Sequence, residues 1–363
     1  MVLSQDLDLG PYRQAIACGQ RPRHVLLDLA ERTGGVALSA SGARPSVLDK
    51  LGGRLVGRAE SWWTAREALR RSRGGYVHAN NEILGYILLL LLGLRRGPSA
   101  RVGFWVMTPD GRQSRIWLRL VRLLRLRPVL LAESGRKAAA IRRIAGPSAQ
   151  VIMPGEPIDL EFFQPGPRAG VPATLAESVR RPLVVSAGLE RRDYRTLAAA
   201  LDGLEVDVRI CAMSPNARAT SAVLPGEIPV WMHFDELDTA GLRDLYQAAD
   251  VVVVPTVPNS IDAGYSVVME AMACGRPVVA TAHGQFIDLA GAGLLRVAAP
   301  GDPEDLRRVV IELLDDREAA LTLGKVARAD LEANHTDTGW MGAVVAAARR
   351  GGVTVNEPAD STV

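Results

Sequence analysis

Four consecutive valines, Val251–Val254, constrain the fold of this chain more than any other feature of its sequence. A β-branched run of this length, ended by Pro255, predicts a strand that is buried on both faces of a parallel sheet. A polar loop follows, and the apolar positions that begin at Val267 predict a helix that ends at Gly275. A second β-branched run, at 278–281, predicts the next strand. Together these segments predict a strand, loop, helix and strand of a doubly wound α/β fold.

The loop before this helix is a candidate anion site. Ser266 is the predicted N-cap of the helix, and Gly264 precedes it in the loop. The amide groups and the positive dipole end of a helix N-terminus suit a phosphate. Glu270 lies about one turn inside the helix, from where its carboxylate would reach a hydroxyl group beside that phosphate. The alternative is an ordinary α/β unit in which Glu270 lies on a solvated helix face.

The twelve residues 270–281, Glu-Ala-Met-Ala-Cys-Gly-Arg-Pro-Val-Val-Ala-Thr, resemble the donor-site signature of family-4 glycosyltransferases, which are retaining enzymes of the GT-B fold. The resemblance implies two Rossmann-like doubly wound domains that face each other across a cleft. It also implies a nucleotide sugar as co-substrate, a UDP-sugar rather than a GDP-sugar, with no other cofactor and no metal. Glu270 would bind the ribose, and Asp262, where the family usually has Glu, would contact the transferred sugar. The diphosphate would be held by the backbone of Gly264, Tyr265, Ser266 and Val267.

A second donor-side motif follows the strand predicted to end at Ala187. In the family, this strand ends in Gly-Arg, and a Lys lies five residues before a helix leucine. Counted back from Leu197, Arg192 occupies the Lys position, and Arg191 stands in for the missing Arg. Guanidinium groups can bind a diphosphate bidentately and offset the charge of a leaving group. The resemblance therefore implies that Gly188, Arg191 and Arg192 bind the donor. The implied catalytic set is Asp262, Arg192 and Glu270. The alternative for the two arginines is a solvated loop.

Charge divides the chain into two parts. Residues 1–165 carry 25 Lys and Arg against 13 Asp and Glu, whereas residues 166–363 carry 18 against 27. The segment at 154–165 resembles the interdomain sequence of the family, and the Gly-Pro-Arg-Ala-Gly that follows has the composition of a linker. We therefore predict an N-terminal acceptor-side domain and a C-terminal domain that binds the nucleotide sugar. The predicted boundaries are 1–165, 166–335, a helix at 336–350 that crosses back to the first domain, and a disordered tail at 351–363.

Polar residues at the predicted carboxyl ends of two N-terminal strands are candidates for the acceptor side. Glu82 follows the strand at 76–78, and Thr108 and Asp110 follow the strand at 102–107. The alternative for Glu82 is a helix-start carboxylate that the helix dipole favours. The histidine that related enzymes often carry after the second strand is absent here, so no catalytic base is assigned on this side.

The stretch 114–126, SRIWLRLVRLLRL, predicts a basic amphipathic helix. It fits either peripheral contact with an anionic membrane or packing on the sheet with a solvated arginine edge. The first ten residues predict no signal peptide, and the apolar run at 83–94 is too short to span a bilayer. Three widely spaced cysteines predict no disulfide framework. We expect a cytoplasmic protein without a nucleic-acid partner, with peripheral contact at the inner membrane face as an open alternative.

Two functional hypotheses follow from these motifs. In the first, the protein is a retaining glycosyltransferase that moves a sugar from a nucleotide sugar to a hydroxyl group of a glycan, a lipid-linked precursor or a small metabolite. The resemblance implies that the donor phosphate accepts the acceptor proton, so that neither a protein base nor a metal is needed. In the second, the protein is a non-catalytic GT-B subunit that binds a sugar nucleotide or a partner. Asp262 in place of Glu, and the absent N-terminal histidine, keep this alternative open.

Overall fold

The chain forms two compact units in the computed structural model, which describes residues 9–72, 74–94, 100–167, 181–212, 224, 226–257, 263–350 and 352. The first unit comprises Met1–Cys18, Arg23–Pro157 and Asp337–Val363, and the second comprises Gly19–Pro22 and Ile158–Thr336. The division falls after Pro157, whereas the sequence predicts a boundary at 165. The C-terminal helix belongs to the first unit. The predicted tail at 351–363 lies outside the described residues except for Gly352.

The first unit is built on a four-stranded parallel sheet whose strands follow the chain order. These strands are β1 (Tyr76–His78), β2 (Arg101–Trp105), β3 (Val129–Leu131) and β4 (Gln150–Ile152). The crossover helices are α5 (Glu82–Gly93), α6 (Arg112–Leu123) and α7 (Gly135–Ala145). The remaining helices are α1 (Leu9–Ala17), α2 (Val25–Arg32), α3 (Val47–Leu55), α4 (Ala59–Arg71) and α14 (Asp337–Arg350).

Both faces of this sheet are buried, but by helices of different origin. Crossovers between consecutive parallel strands are right-handed, so α5, α6 and α7 lie on the same face. Their buried side chains share one core with α4. The other face packs against α2 and α14, where Trp340 and Met341 meet Val129 and Leu131. Helices from the two ends of the chain therefore cover the face that the crossovers leave open.

The apolar run at 83–94 forms most of α5, in which Leu84, Ile87 and Leu88 are fully buried. No helix within the described parts of the chain is long and apolar enough to cross a membrane. The predicted amphipathic helix at 114–126 is α6, which begins two residues earlier and ends at Leu123.

The second unit is built on a six-stranded parallel sheet in the order β10-β9-β8-β5-β6-β7. Its strands are β5 (Leu183–Ala187), β6 (Asp207–Cys211), β7 (Met232–Phe234), β8 (Val251–Val254), β9 (Val278–Thr281) and β10 (Arg296–Ala298). From β5 the sheet grows toward β7, and from β8 it grows toward β10. The strand order therefore reverses between β5 and β8, and doubly wound folds bind ligands at the carboxyl ends of the strands at such a point.

The helices of this unit cover both faces of the sheet. They are α8 (Tyr194–Leu201), α9 (Thr239–Ala248), α10 (Tyr265–Ala273), α11 (Gly284–Gly291), α12 (Pro303–Asp315) and α13 (Arg317–Asn334). Side chains alternate between the two faces of a strand, and all four valines of β8 are fully buried. Val252 and Val254 belong to the core formed with α9 and α10, whereas Val251 and Val253 belong to the core formed with α8 and α12. The prediction of a strand buried on both faces is confirmed.

Two local details decide where elements begin and end. The predicted end of α10 at Gly275 is confirmed: this glycine has φ +69°, and its N–H donates to the carbonyl of Met272. The apolar stretch at 228–231 has the residue types of a strand but forms none, because the Met232 N–H donates to the Pro229 carbonyl in a turn that leaves Val230 92% exposed. The strand β7 begins only after this turn.

Candidate functional site

The loops that leave β5 and β8 are hydrogen-bonded to each other at the point where the strand order reverses. The Asp193 N–H donates to the Pro255 carbonyl over 2.9 Å, and the Val257 N–H donates to the Arg191 carbonyl over 2.9 Å. Between these two bonds, Arg192 and Thr256 form an isolated antiparallel bridge. The backbone that carries Arg192 is thereby fixed beside the carboxyl end of the valine strand.

Arg192 places a buried positive charge at this point. Its side chain is only 4% exposed, its Nε–H donates to the Ala187 carbonyl over 2.7 Å, and its Nη1 donates to the Glu190 carbonyl over 2.9 Å. Burial lowers the pKa of Arg192, while the neighbouring tyrosine and glutamate side chains favour its charged form. An arginine remains protonated under such conditions. The guanidinium has five N–H donors, and these two hydrogen bonds use two of them. The other three have no acceptor among the described residues. The group is held in place and can still bind an anion.

Two glycines with left-handed backbone lie directly against this guanidinium. Gly188 has φ +84°, and a methyl group on it would lie 2.6 Å from Arg192 Nη2. Gly264 has φ +100°, and a methyl group on it would lie 3.2 Å from Arg192 Nη1 and 2.7 Å from Val254 Cγ1. Only glycine fits both the backbone conformation and the space at these positions. The sequence motifs after β5 and β8 are therefore brought together around one side chain.

Gly264 is also the N-cap of α10, and no side chain among the described residues caps the helix. The prediction that Ser266 is the N-cap is wrong, because the left-handed turn at Gly264 starts the helix at Tyr265. Ser266 is instead an exposed second residue of the helix. The first hydrogen bond of the helix runs from the Val268 N–H to the Gly264 carbonyl over 3.0 Å. The amide groups of Tyr265, Ser266 and Val267 precede this bond, at the positive end of the helix dipole.

Glu270 lies on the second turn of α10 and is oriented by a tyrosine. The hydroxyl of Tyr246, on α9, donates to Glu270 Oε2 over 2.9 Å. Burial raises the pKa of Glu270 to about 7, against the hydrogen bond from Tyr246 and the charge of Arg192, which both lower it. Burial also raises the pKa of Tyr246, so this side chain remains a neutral donor. One carboxylate oxygen is thus engaged by the protein, and Oε1 has no partner within the described part of the chain.

Of the two remaining donor-side candidates, Asp262 and Arg191, the structure describes only Arg191. Asp262 lies outside the described residues. Arg191 is exposed and has φ +55°, a left-handed conformation that costs energy for a residue with a side chain. Its carbonyl accepts the hydrogen bond from Val257 that ties the two loops together. The described members of the predicted donor set, Gly188, Arg191, Arg192, Gly264, Tyr265, Ser266, Val267 and Glu270, all lie on the β5 loop or on α10 and its N-cap.

A buried polar pair at the same edge of the sheet was not predicted. The hydroxyl of Thr256 lies 2.6 Å from Nε2 of His283, and the Thr256 N–H donates to the Thr281 hydroxyl over 2.8 Å. Both Thr256 and His283 follow closely after predicted strands, which is the signal that would have identified them. Tyr246 carries no such signal, because it lies inside a helix and 24 positions before Glu270.

The structure groups two of the three acceptor-side candidates in the first unit. Glu82 is the first residue of α5, and its Oε1 accepts hydrogen bonds from the hydroxyls of Tyr86 and Ser114, each over 2.7 Å. The Ser114 hydroxyl also lies 3.5 Å from that of Thr108. Asp110 is not part of this group: it is exposed and lies 3.4 Å from Arg143 Nη2. Glu82 and Thr108 therefore share one polar cluster.

Comparisons with known proteins match part of the chain to glycosyltransferases. The family model described as glycosyl transferases group 1 matches residues 196–316. A D-inositol 3-phosphate glycosyltransferase of Kribbella flavida is 31% identical over 223 residues, which cover 54% of this chain and 51% of that protein. The enzyme of the same description from Mycolicibacterium smegmatis is 31% identical over 186 residues, 47% of this chain and 41% of that protein. The chain therefore spans about half the length of the curated relatives it matches.

Solved structures resemble the chain over nearly its whole length. The Anabaena HepE protein in complex with UDP and glucose has a TM-score of 0.62 and 17% identity, and the match covers 95% of this chain and 97% of that one. The α,α-trehalose 6-phosphate synthase of Burkholderia multivorans has a TM-score of 0.68 and 14% identity, covering 97% and 98%. At such identities the likeness shows the fold. The chain therefore has the GT-B fold, and its residues 196–316 are similar to the glycosyl transferases group 1.

Proposed function

We propose that this protein is a retaining glycosyltransferase that uses a nucleotide sugar, preferably a UDP-sugar, as its donor. The observation that carries the proposal is the buried Arg192 between Gly188 and Gly264, beside the N-terminus of α10. A buried guanidinium with three N–H donors to spare, next to helix amides, is complementary to a diphosphate. The likeness to HepE, whose solved structures contain UDP, UDP with glucose or UDP-glucose, favours uridine as the base.

In this proposal each group of the site has one task. Arg192 and the amides of α10 stabilise the negative charge that develops on the departing diphosphate. Glu270 accepts a hydrogen bond from the ribose through Oε1, while Tyr246 holds Oε2. Asp262 contacts the sugar ring. The bond between the anomeric carbon and the phosphate oxygen breaks as the acceptor oxygen bonds to the same face of that carbon. The acceptor proton passes to the departing phosphate oxygen, and the products are the glycoside and the nucleoside diphosphate.

The residues proposed to contact the acceptor indicate its chemistry. The carboxylate of Glu82 and the hydroxyl of Thr108 suit an acceptor that presents hydroxyl groups, because both can accept hydrogen bonds from them. We propose the Glu82 cluster, without Asp110, as the acceptor contact in the first unit.

The first test is release of free nucleoside diphosphate from UDP-, GDP- and ADP-sugars by the purified protein. We expect slow hydrolysis of one donor without an acceptor, because water can enter a site built for a hydroxyl group. Arg192→Gln should lose this activity by about two orders of magnitude. The matched control is Arg195→Gln, an exposed arginine one turn along the same segment that binds the Leu224 carbonyl.

The outcomes separate the two hypotheses. Donor hydrolysis that depends on Arg192 supports transfer. Binding of one donor in calorimetry without turnover, also with candidate acceptors, supports a non-catalytic subunit. No binding of any donor to the wild-type protein contradicts both. The wild-type result does not depend on whether Arg192→Gln folds, and the circular dichroism spectrum shows whether it does.

The hydrogen bond from Tyr246 predicts a shift in the pH dependence of donor binding. If Glu270 binds the ribose as a carboxylate, donor affinity rises with pH through about 7, the pKa of that group. The bond from Tyr246 lowers the pKa of Glu270, so Tyr246→Phe should move the midpoint to higher pH. Calorimetric titration of the donor between about pH 5.5 and 9 measures this midpoint. Tyr194→Phe is the control, since its hydroxyl donates to the Gly188 carbonyl and not to Glu270. An unchanged midpoint in Tyr246→Phe would contradict the assignment.

A further inference from the structure

The short helix α3 of the first unit has its large apolar side chains on the outside. Val47 is 81% exposed, Leu48 77%, Leu51 55% and Leu55 77%. At 100° per residue, these four positions span about 100° of the helix circumference and form one continuous stripe. Soluble proteins rarely expose a contiguous stripe of this kind unless it binds something. We call Val47, Leu48, Leu51 and Leu55 the α3 stripe.

The opposite side of α3 explains why the stripe cannot turn inward. A methyl group on Gly52 would lie 2.4 Å from the ring of Trp62, and one on Gly53 would lie 2.6 Å from the backbone nitrogen of Ala59. The helix therefore packs on α4 through its glycine backbone. Buried Asp49 fixes the same orientation, because it forms a capping box with Ser46 and a 2.7 Å ion pair with Arg66. A leucine on this side would not fit. The outward direction of the stripe is thus a consequence of specific packing.

The stretch that carries the stripe exposes charges of one sign. Between residues 41 and 58 every exposed charged side chain is a cation, the one acid, Asp49, is buried and paired, and the first exposed acid beyond this stretch is Glu60 of α4. These cations are Arg44, Lys50, Arg54 and Arg58. A partner that complements this surface must be apolar in its interior and negatively charged at its border. Two copies of this chain do not meet that requirement, since a symmetric contact through α3 would bring the same cations together.

We propose that α3 docks on an anionic phospholipid surface. The α3 stripe enters the boundary between headgroups and acyl chains, and Lys50, Arg54 and Arg58 contact the lipid phosphates. This inference is independent of sugar transfer. It also changes the place of the membrane contact, for which the sequence singles out 114–126. In α6 the buried side chains Leu118 and Val121 attach the helix to the core, and its arginine edge is solvated. Its exposed apolar side chains, Ile116 and Leu123, are fewer than the four of the α3 stripe, in a helix three residues longer.

Cosedimentation with vesicles tests the proposal. We expect the wild-type protein to bind phosphatidylcholine vesicles that contain phosphatidylglycerol, and to bind pure phosphatidylcholine at least about ten-fold more weakly. High salt should weaken the binding, because exposed charges are screened. The double variant Leu48→Gln with Leu51→Gln should lose at least about ten-fold in partitioning. Lys50→Gln with Arg54→Gln should weaken binding and reduce its salt dependence.

Matched controls come from exposed apolar residues elsewhere. Ile287→Gln with Val326→Gln changes two side chains of the second unit that are 53% and 47% exposed, and should bind vesicles as the wild type does. Thermal unfolding and nucleotide release should be unchanged in the α3 variant, which separates loss of docking from loss of fold or of transfer.

Three results would overturn the proposal. The first is equal binding to neutral and anionic vesicles, or no binding to either. The second is unchanged binding of the α3 variant together with loss of binding in Ile116→Gln with Leu123→Gln, which would assign the contact to α6. The third is a wild-type dimer in analytical ultracentrifugation that becomes monomeric in the α3 variant, which would make the stripe a contact between two copies.

Discussion

We expect Glu270→Gln to weaken donor binding about 10-fold while making the ligand-free protein more stable at pH 8. The loss arises because a hydrogen bond from a ribose hydroxyl to a carboxylate contributes about 1.5–3 kcal/mol, and a neutral amide forms a weaker one. The gain arises from burial, which raises the pKa of Glu270 from its ordinary 4.5 to about 7. Stability from the protonated carboxyl is fully present below about pH 4.5 and is lost as the pH rises through 7. Above that pH the buried carboxylate costs up to about 3 kcal/mol, which glutamine avoids.

Calorimetry with the donor and thermal unfolding at several pH values measure the two effects. The stability difference between Glu270→Gln and wild type should be fully developed above about pH 7 and disappear below about pH 4.5. Glu318→Gln is the control, since this glutamate is exposed at the start of α13 in the same unit. Equal stability at pH 8 would mean that the Glu270 carboxylate is not destabilised by burial. Unchanged donor affinity would remove Glu270 from the ribose contact.

Gly264→Ala should abolish measurable donor binding and destabilise the second unit by about 2–4 kcal/mol. Two costs add. Alanine at φ +100° is strained, and its methyl group would lie 2.7 Å from Val254 Cγ1 on a fully buried strand. Because Val254 cannot retreat, the N-terminus of α10 must shift, and with it the amides of Ser266 and Val267. The same methyl group would lie 3.2 Å from Arg192 Nη1 and press on the guanidinium.

The matched control for this substitution is Gly293→Ala. Gly293 has φ +77°, so it carries a comparable backbone strain, but nothing lies within 4 Å of an added methyl group. The difference between the two variants in urea unfolding and in donor calorimetry isolates the contact with Val254 and Arg192. If both variants lose the same stability and both still bind the donor, the close packing around Gly264 has no role in the site.

The parts of the site that could be predicted are those encoded by local pattern. The valine strand and the helix end at Gly275 follow from residues next to each other in the chain, and both are confirmed. The start of the same helix could not be predicted, because Ser266 is a good N-cap by type and only the left-handed turn at Gly264 displaces it. Tyr246 is invisible in the sequence, since its contact with Glu270 joins two helices.

In the first unit, too, features that depend on contacts between distant parts of the chain could not be predicted from local pattern. Its strands are recognisable from short apolar runs, but their consecutive order is a property of the assembled sheet. The covering of its second face by α2 and α14 depends on contacts between the two ends of the chain. The outward stripe of α3 reverses the usual rule that apolar positions mark the buried face, because glycines occupy the packed side. Pattern alone would have placed Leu48 and Leu51 in the core.

The valine strand has a consequence for local opening of the protein. Because β8 contributes side chains to both cores of the second unit and hydrogen-bonds to β5 and β9, we expect its amide hydrogens to exchange with solvent only when the whole unit unfolds. Gly264 follows this strand in the chain, and the loop that carries Arg192 is hydrogen-bonded to the residues directly after it. Partial unfolding of peripheral helices would therefore leave the centre of the candidate site intact. The centre of the candidate site would be lost only when the second unit as a whole denatures.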